Sequence, residues 1–164
     1  MEGGEKEAEQ MANITEELLL TLKASKKTPV AKWKESSKAK SHWQAEMQVE
    51  DADGNVFRIY QRQNAVISDN FSCGIVWLAR DGSAVPLARY NGADHPHSNP
   101  IEGTQFAFVC HIHVATERYG ASAKPDKYAE ETDRYSTLAG ALATMVEDYN
   151  ISGLEDLPGQ GCLI

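Results

Sequence analysis

Apolar residues recur along this chain with two different periods. Near the N-terminus Ile14, Leu18 and Leu22 stand four apart, which is one face of a helix. Asn13 can cap that helix, and Glu16 stands where a capping-box acid belongs. The period then shortens to two. "HWQAEMQV" and "VFRIYQRQ" flank "EDADGN", whose Asp-Gly-Asn predicts a hairpin turn. "FSCGIVWLA" is more apolar and predicts a central strand. "AVPLARY" is a fourth strand, which Pro86 places at an edge or a bulge. A long loop, "NGADHPHSNPIEG", leads to a fifth, "TQFAFVCHIHVA". The helical period returns in "STLAGALATMVEDYN", where Ser136 can cap and Leu138, Leu142, Met145, Val146 and Tyr149 form a stripe. The order predicts an α+β fold: an antiparallel five-stranded meander sheet, with an N-terminal helix and a C-terminal helix packed on one face. Residues 1–12 read as a flexible tail, 13–152 as a single α+β domain and 153–164 as a C-terminal tail.

Composition narrows the classes. A chain of 164 residues suits one domain with a sizeable core. The net charge of −8 argues against general nucleic-acid stickiness but leaves room for a local basic patch. One such stretch exists: Lys23 to Lys40 holds seven lysines and a single acid, Glu35. It reads as a solvated linker or as a phosphate-contacting arm. Cys73, Cys110 and Cys162 are an odd number without framework spacing, as in a reducing compartment. The start is polar, with no signal-peptide core, and no apolar run approaches the ~20 residues of a membrane span. The terminal "GCLI" has only two residues after Cys162, where prenylation needs three. The expectation is a cytoplasmic protein without a membrane partner.

Four of the five histidines fall between His95 and His113. In the fifth strand, alternation puts Phe106, Phe108, Cys110, Ile112 and Val114 on the apolar face. Gln105, Ala107, Val109, His111 and His113 take the other. Arg58, Tyr60 and Arg62 alternate with the apolar Phe57 and Ile59, so this row joins the histidines if the register allows. Three readings compete. His111 and His113 could be catalytic acid–base groups, with Arg58, Tyr60, Arg62, Arg89 and Tyr90 holding a phosphate, as RNA cleavage would need. His111 and His113 could instead ligate a divalent metal such as zinc, with His95, His97 or Asp94 completing the shell, giving a metal-dependent hydrolase. Or the imidazoles simply pack and hydrogen-bond on a sheet face.

The blocks "FRIYQRQN", "FSCGIVWL", "LARYNG", "HSNPIEG", "HIHVATERYG" and "YAEETDRYSTLAGAL" resemble a small family of uncharacterised bacterial and phage proteins. The resemblance spans about residues 56 to 150 and carries no activity with it. A weaker similarity links "RYNGADHPHSN" and the later "HIH" to TumE-type toxins of toxin–antitoxin modules. There Arg89, Tyr90, Asn91, His95, His97, His111 and His113 match, although the spacing between the His pairs differs. Together these imply a prophage or mobile-element protein, a toxin-like ribonuclease that binds RNA or another phosphate ligand. The alternative is a non-enzymatic module that docks on a host or partner protein.

Overall fold

The computed structural model describes residues 14–36, 41–94, 97–98, 101, 105–106, 108–116 and 128–154. The fold is α+β. Its frame is an eight-stranded antiparallel sheet, with two helices among the described residues, α1 (Glu16–Ala24) and α2 (Leu138–Asp148). The strands are β1 (Lys27–Pro29), β2 (Lys34–Ser36), β3 (His42–Asp51), β4 (Val56–Asn64), β5 (Phe71–Leu78), β6 (Ala84–Asn91), β9 (His111–Val114) and β10 (Ala129–Glu131). The order across the sheet is β1-β3-β4-β5-β6-β9-β10, with β2 also on β3. A separate two-stranded pair joins β7 (His97–Ser98) to β8 (Gln105–Phe106).

The four long strands form where the sequence predicts them; β3 and β4 alternate in burial, and β5, buried at four successive positions, is central. The strands missed by pattern, β1, β2 and β10, have three residues each, too few to show a period of two. The fifth strand differs more. "TQFAFVCHIHVA" is not continuous: Gln105–Phe106 pairs with β7, and the main sheet resumes only at His111. Between them Phe108 has a φ of 21° and is 66% exposed, so it is not a core residue. A positive φ turns the chain out of the extended path that its alternation suggests. Pro86 sits beside a bulge, where the register shifts between Ile75 and Val76. It does not mark an edge, since β6 is flanked by β5 and β9.

Local chemistry explains the turns and caps. In the β3–β4 hairpin Gly54 has a φ of 80°, which only glycine adopts without strain. Asp51 Oδ1 accepts from the backbone N–H groups of Asp53 and Asn55 at 3.0 and 2.9 Å and so closes that turn. Thr15 and Thr137 are the helix caps, accepting from Leu18 N and Gly140 N, each at 3.1 Å. The N-cap of α2 is therefore Thr137 rather than Ser136, and that of α1 is Thr15 rather than Asn13.

One face of the sheet holds the core. Met47, Val49, Phe57, Ile59, Cys73 and Ile75 are buried there. Leu138, Ala141, Leu142 and Met145 of α2 pack against them at helical spacing. Each large side chain buried in this way contributes about 1.5–3 kcal/mol. Ile14 and Leu22 extend the same cluster from the N-terminal side.

Lys27 departs from the solvated basic arm read in the sequence. It is fully buried. Its Nζ donates to the carbonyls of Ser25 and Tyr149, each at 2.7 Å, and of Lys23 at 3.3 Å. The ammonium also lies 4.9 Å from the Phe57 ring centroid. A lysine can be buried when every N–H finds an acceptor, which a charge count along the sequence cannot reveal. Burial pushes Lys27 down from 10.5 to about 8, partly opposed by Asp51, its partner across β1 and β3. Between those values the unfolded chain holds the proton and the folded chain does not. Stability from this group therefore rises with pH through the window from 8 to 10.5, by up to about 1.4 kcal/mol per pH unit. Tyr90, Tyr135 and Tyr149, raised by burial, oppose the trend above their ordinary value of 10.0. Urea unfolding at pH 8 and 9.5 should show this rise, and Lys27→Met should remove it.

Candidate functional site

Residues directly opposite each other in an antiparallel pair share a face. Following the register across the sheet gives two polar rows. One runs Glu46, Tyr60, Gly74, Arg89, His113, Ala129. The next runs Gln44, Arg62, Ser72, Asn91, His111, Glu131. Arg58 lies on the same face, opposite Gln48 and Val76. Arg58, Tyr60, Arg62, Arg89, His111 and His113 thus occupy the side of the sheet away from α2.

Depth divides them. Arg58 and Arg62 are exposed, and Tyr60 and Arg89 are half-buried. His111 and His113 are 0% and 1% exposed, so this end of the face is not wet. Their rings meet edge to face, with centroids 4.8 Å apart and planes at 70°. His111 is fixed at both nitrogens: Nδ1 lies 2.9 Å from the carbonyl oxygen of Val109, and Nε2 lies 3.3 Å from the Asn91 amide nitrogen. The carbonyl can only accept, so Nδ1 carries the proton and Nε2 accepts from Asn91. These bonds hold the ring as part of the structure.

The same bonds bear on the metal reading. A metal would need the lone pair that Asn91 occupies. No three His, Cys, Asp or Glu side chains come together to hold a metal among the described residues. His95 and the side chain of His97 lie outside the described residues. Cys110 is half-buried against the core, and burial, with the Asp69 charge, raises its thiol.

Tyr90 does not belong to this face. It follows Arg89 in a strand, so it points the opposite way, into the core, and is 1% exposed. Its hydroxyl donates to Asp148 Oδ2 at 2.7 Å. Arg134 grips the same carboxylate with two bonds, at 2.8 and 3.0 Å. Burial alone would raise the Asp148 carboxyl, but the bonds from Arg134 and Tyr90 outweigh it and hold it low. This trio fastens the end of α2 to the sheet.

Two contributors, Gly74 and Tyr135, were not read from the sequence, and a third, Asn91, entered only through a resemblance and without this role. Gly74 gives Tyr60 its seat: a Cβ there would meet the Tyr60 Oη at 2.5 Å, Cζ at 2.6 Å and Cε1 at 2.7 Å. The phenol therefore lies across β5, on the side of the face where Arg89 stands. Alternation already puts Gly74 and Arg89 each in a half-polar pattern, but only the register brings them opposite. Asn91 orients His111, as above. Tyr135 donates to the carbonyls of Asn91 at 2.8 Å and His111 at 3.1 Å, closing the β6–β9 ladder from the core side.

Comparison with known proteins found no matching family model, no similar curated protein and no similar solved structure. No helix among the described residues is long and apolar enough to cross a membrane.

Proposed function

We propose that the sheet face carrying Arg58, Tyr60, Arg62 and Arg89 binds a phosphate-bearing ligand, with single-stranded RNA as the polymer that suits it. The observation that supports this most is the register, which sets three guanidinium groups and a phenol on one face. Arg58 and Arg62 are four residues apart on one strand, about 14 Å between Cα atoms. That spacing suits an extended chain of phosphates better than one small anion. A phenol between two cations also suits stacking of a base next to backbone contacts.

Binding is favoured over cleavage. A general acid or base must come within hydrogen-bond reach of the reacting atom. His111 and His113 lie beneath the surface, and both nitrogens of His111 are engaged. In this reading the imidazoles form the floor of the site and keep Asn91 and β6 in place.

Fluorescence anisotropy with labelled oligouridylate tests the proposal. Affinity should fall with salt, with a logarithmic slope near −2 if all three arginines contact phosphates. Arg58→Ala with Arg62→Ala should flatten the slope by about 1.4. No binding, or binding indifferent to salt and to both substitutions, defeats the proposal. Shortening of the oligonucleotide that His111→Ala and His113→Ala abolish would return the face to catalysis.

A second reading, a protein-binding module, draws on the β4–β5 loop. Val66 and Ile67 are exposed at its tip. Their N–H groups both bond to Asn64 Oδ1, at 2.9 and 2.8 Å, so the apolar pair is held rigidly. A preorganised apolar tip loses little entropy on docking.

A further inference from the structure

An acid interrupts the cations of the arginine face. Glu46 of β3 is exposed and stands directly opposite Lys34 on β2 and Tyr60 on β4. Arg58 and Arg62 are its diagonal neighbours on β4. Three cations thus surround one carboxylate, yet among the described residues no ion pair or hydrogen bond engages Glu46. A carboxylate repels phosphate, so a face that read phosphates alone would gain by its absence. The other strand acids on this face stand farther from the phenol. Glu50 is four residues along β3, about 13 Å, and Glu131 on β10 is four strands from Arg62, about 19 Å.

The phenol beside Glu46 is a platform. A Cβ on Gly74 would lie 2.5, 2.6 and 2.7 Å from the Tyr60 Oη, Cζ and Cε1. Three atoms out of line at nearly one distance put that point over the face of the ring, not at its edge. The ring therefore lies flat over Gly74, with one face on the sheet and the other turned outward, and the residue is half-buried. An outward aromatic face stacks any base, because every base has a π-face. Selection then depends on what meets the edge of the base. Neighbouring strands are about 4.8 Å apart, so Glu46 and Gly74, two strands apart on one row, are separated by about 10 Å. A stacked purine with one hydrogen bond spans that distance better than a pyrimidine does.

We infer that Glu46 makes this face prefer guanine in single-stranded RNA, which rests on the phosphate-ligand reading above. An ionised carboxylate only accepts, at two oxygens side by side. Guanine alone among the four RNA bases offers two adjacent donors on its Watson–Crick edge, N1–H and the 2-amino group. Adenine and cytosine put a ring acceptor beside their amino group, and uracil sets its single N–H between two carbonyl oxygens. The guanine stacks on Tyr60, and Glu46 accepts from both donors. The sugar and phosphate then leave on the side of Arg89, which follows Gly74 on the same row.

Fluorescence anisotropy on the full chain compares a labelled uridine nonamer with the same nonamer carrying guanosine or inosine at its centre. Guanosine should tighten binding about tenfold. Inosine lacks the 2-amino donor and should keep only about threefold of that gain. Glu46→Gln sets an amide donor against one of the two guanine donors, and should bring the three oligonucleotides within about twofold of one another. If the uridine nonamer binds with the salt slope given above and guanosine adds nothing, the guanine preference is overturned and the phosphate reading stands. If none of the three binds, both are overturned. A guanosine advantage that survives Glu46→Gln, or that inosine matches in full, also overturns the role of Glu46, because another group then reads the base.

Discussion

Phe57→Ala should lower the free energy of unfolding by about 3–5 kcal/mol. Phe57 is fully buried in β4, between Val49 and Trp77 on the core side of the sheet. Truncation to alanine removes the ring and leaves a cavity that close-packed neighbours cannot fill. It also strips away the aromatic surface near the buried Lys27 ammonium, whose charge then faces an empty space. Phe57→Leu keeps most of the volume and should cost far less, about 1.5 kcal/mol. Urea unfolding at pH 7 of the three proteins checks both numbers. A loss below about 1 kcal/mol for the alanine variant would show that β4 does not bury this ring.

Gly74→Ala should cost about 1–3 kcal/mol, although alanine is ordinarily the better residue in a strand. The added methyl meets the Tyr60 ring at 2.5–2.7 Å, so the phenol must leave its seat. The penalty therefore belongs to the pair rather than to the glycine. In a Tyr60→Ala background the same Gly74→Ala change should be neutral or slightly stabilising. A double-mutant cycle measures this coupling directly. A penalty that persists without Tyr60 would mean that something other than the phenol crowds Gly74. The cycle also bears on the proposed function, under which moving the phenol should weaken oligouridylate binding while leaving Arg58 and Arg62 in place.

Much of the frame was legible because β3 and β4 alternate polar and apolar positions and β5 and β6 are apolar runs bounded by turns, although a bulge breaks the alternation at Leu87 and Ala88. Met47, Ile59 and Ile75 alone reveal which face α2 covers. The break before His111 was not legible, since "FAFV" alternates as a strand does whether or not it pairs. Alternation placed His111 and His113 on the correct side but said nothing of depth, which depends on the rest of the fold. It could have separated Arg89 from Tyr90, because neighbours in a strand point opposite ways and the two cannot both line one face. Lys27 lay beyond any local pattern. Its acceptors come from residues 23, 25 and 149, and only the folded chain brings the last of these near. Tyr60 and Gly74 were likewise separate features until the pairing of β4 with β5 made them one.

The chain leaves the main sheet after Asn91 and rejoins it at His111. These two residues face each other in register, and one phenol, Tyr135, holds both of their carbonyls. The points of departure and return are therefore fastened to each other, independently of the residues between them. Extra length at such a mounting costs closure entropy only logarithmically, about 0.6 kcal/mol for each doubling. A change of length between Asn91 and His111 should therefore leave the β6–β9 pairing intact.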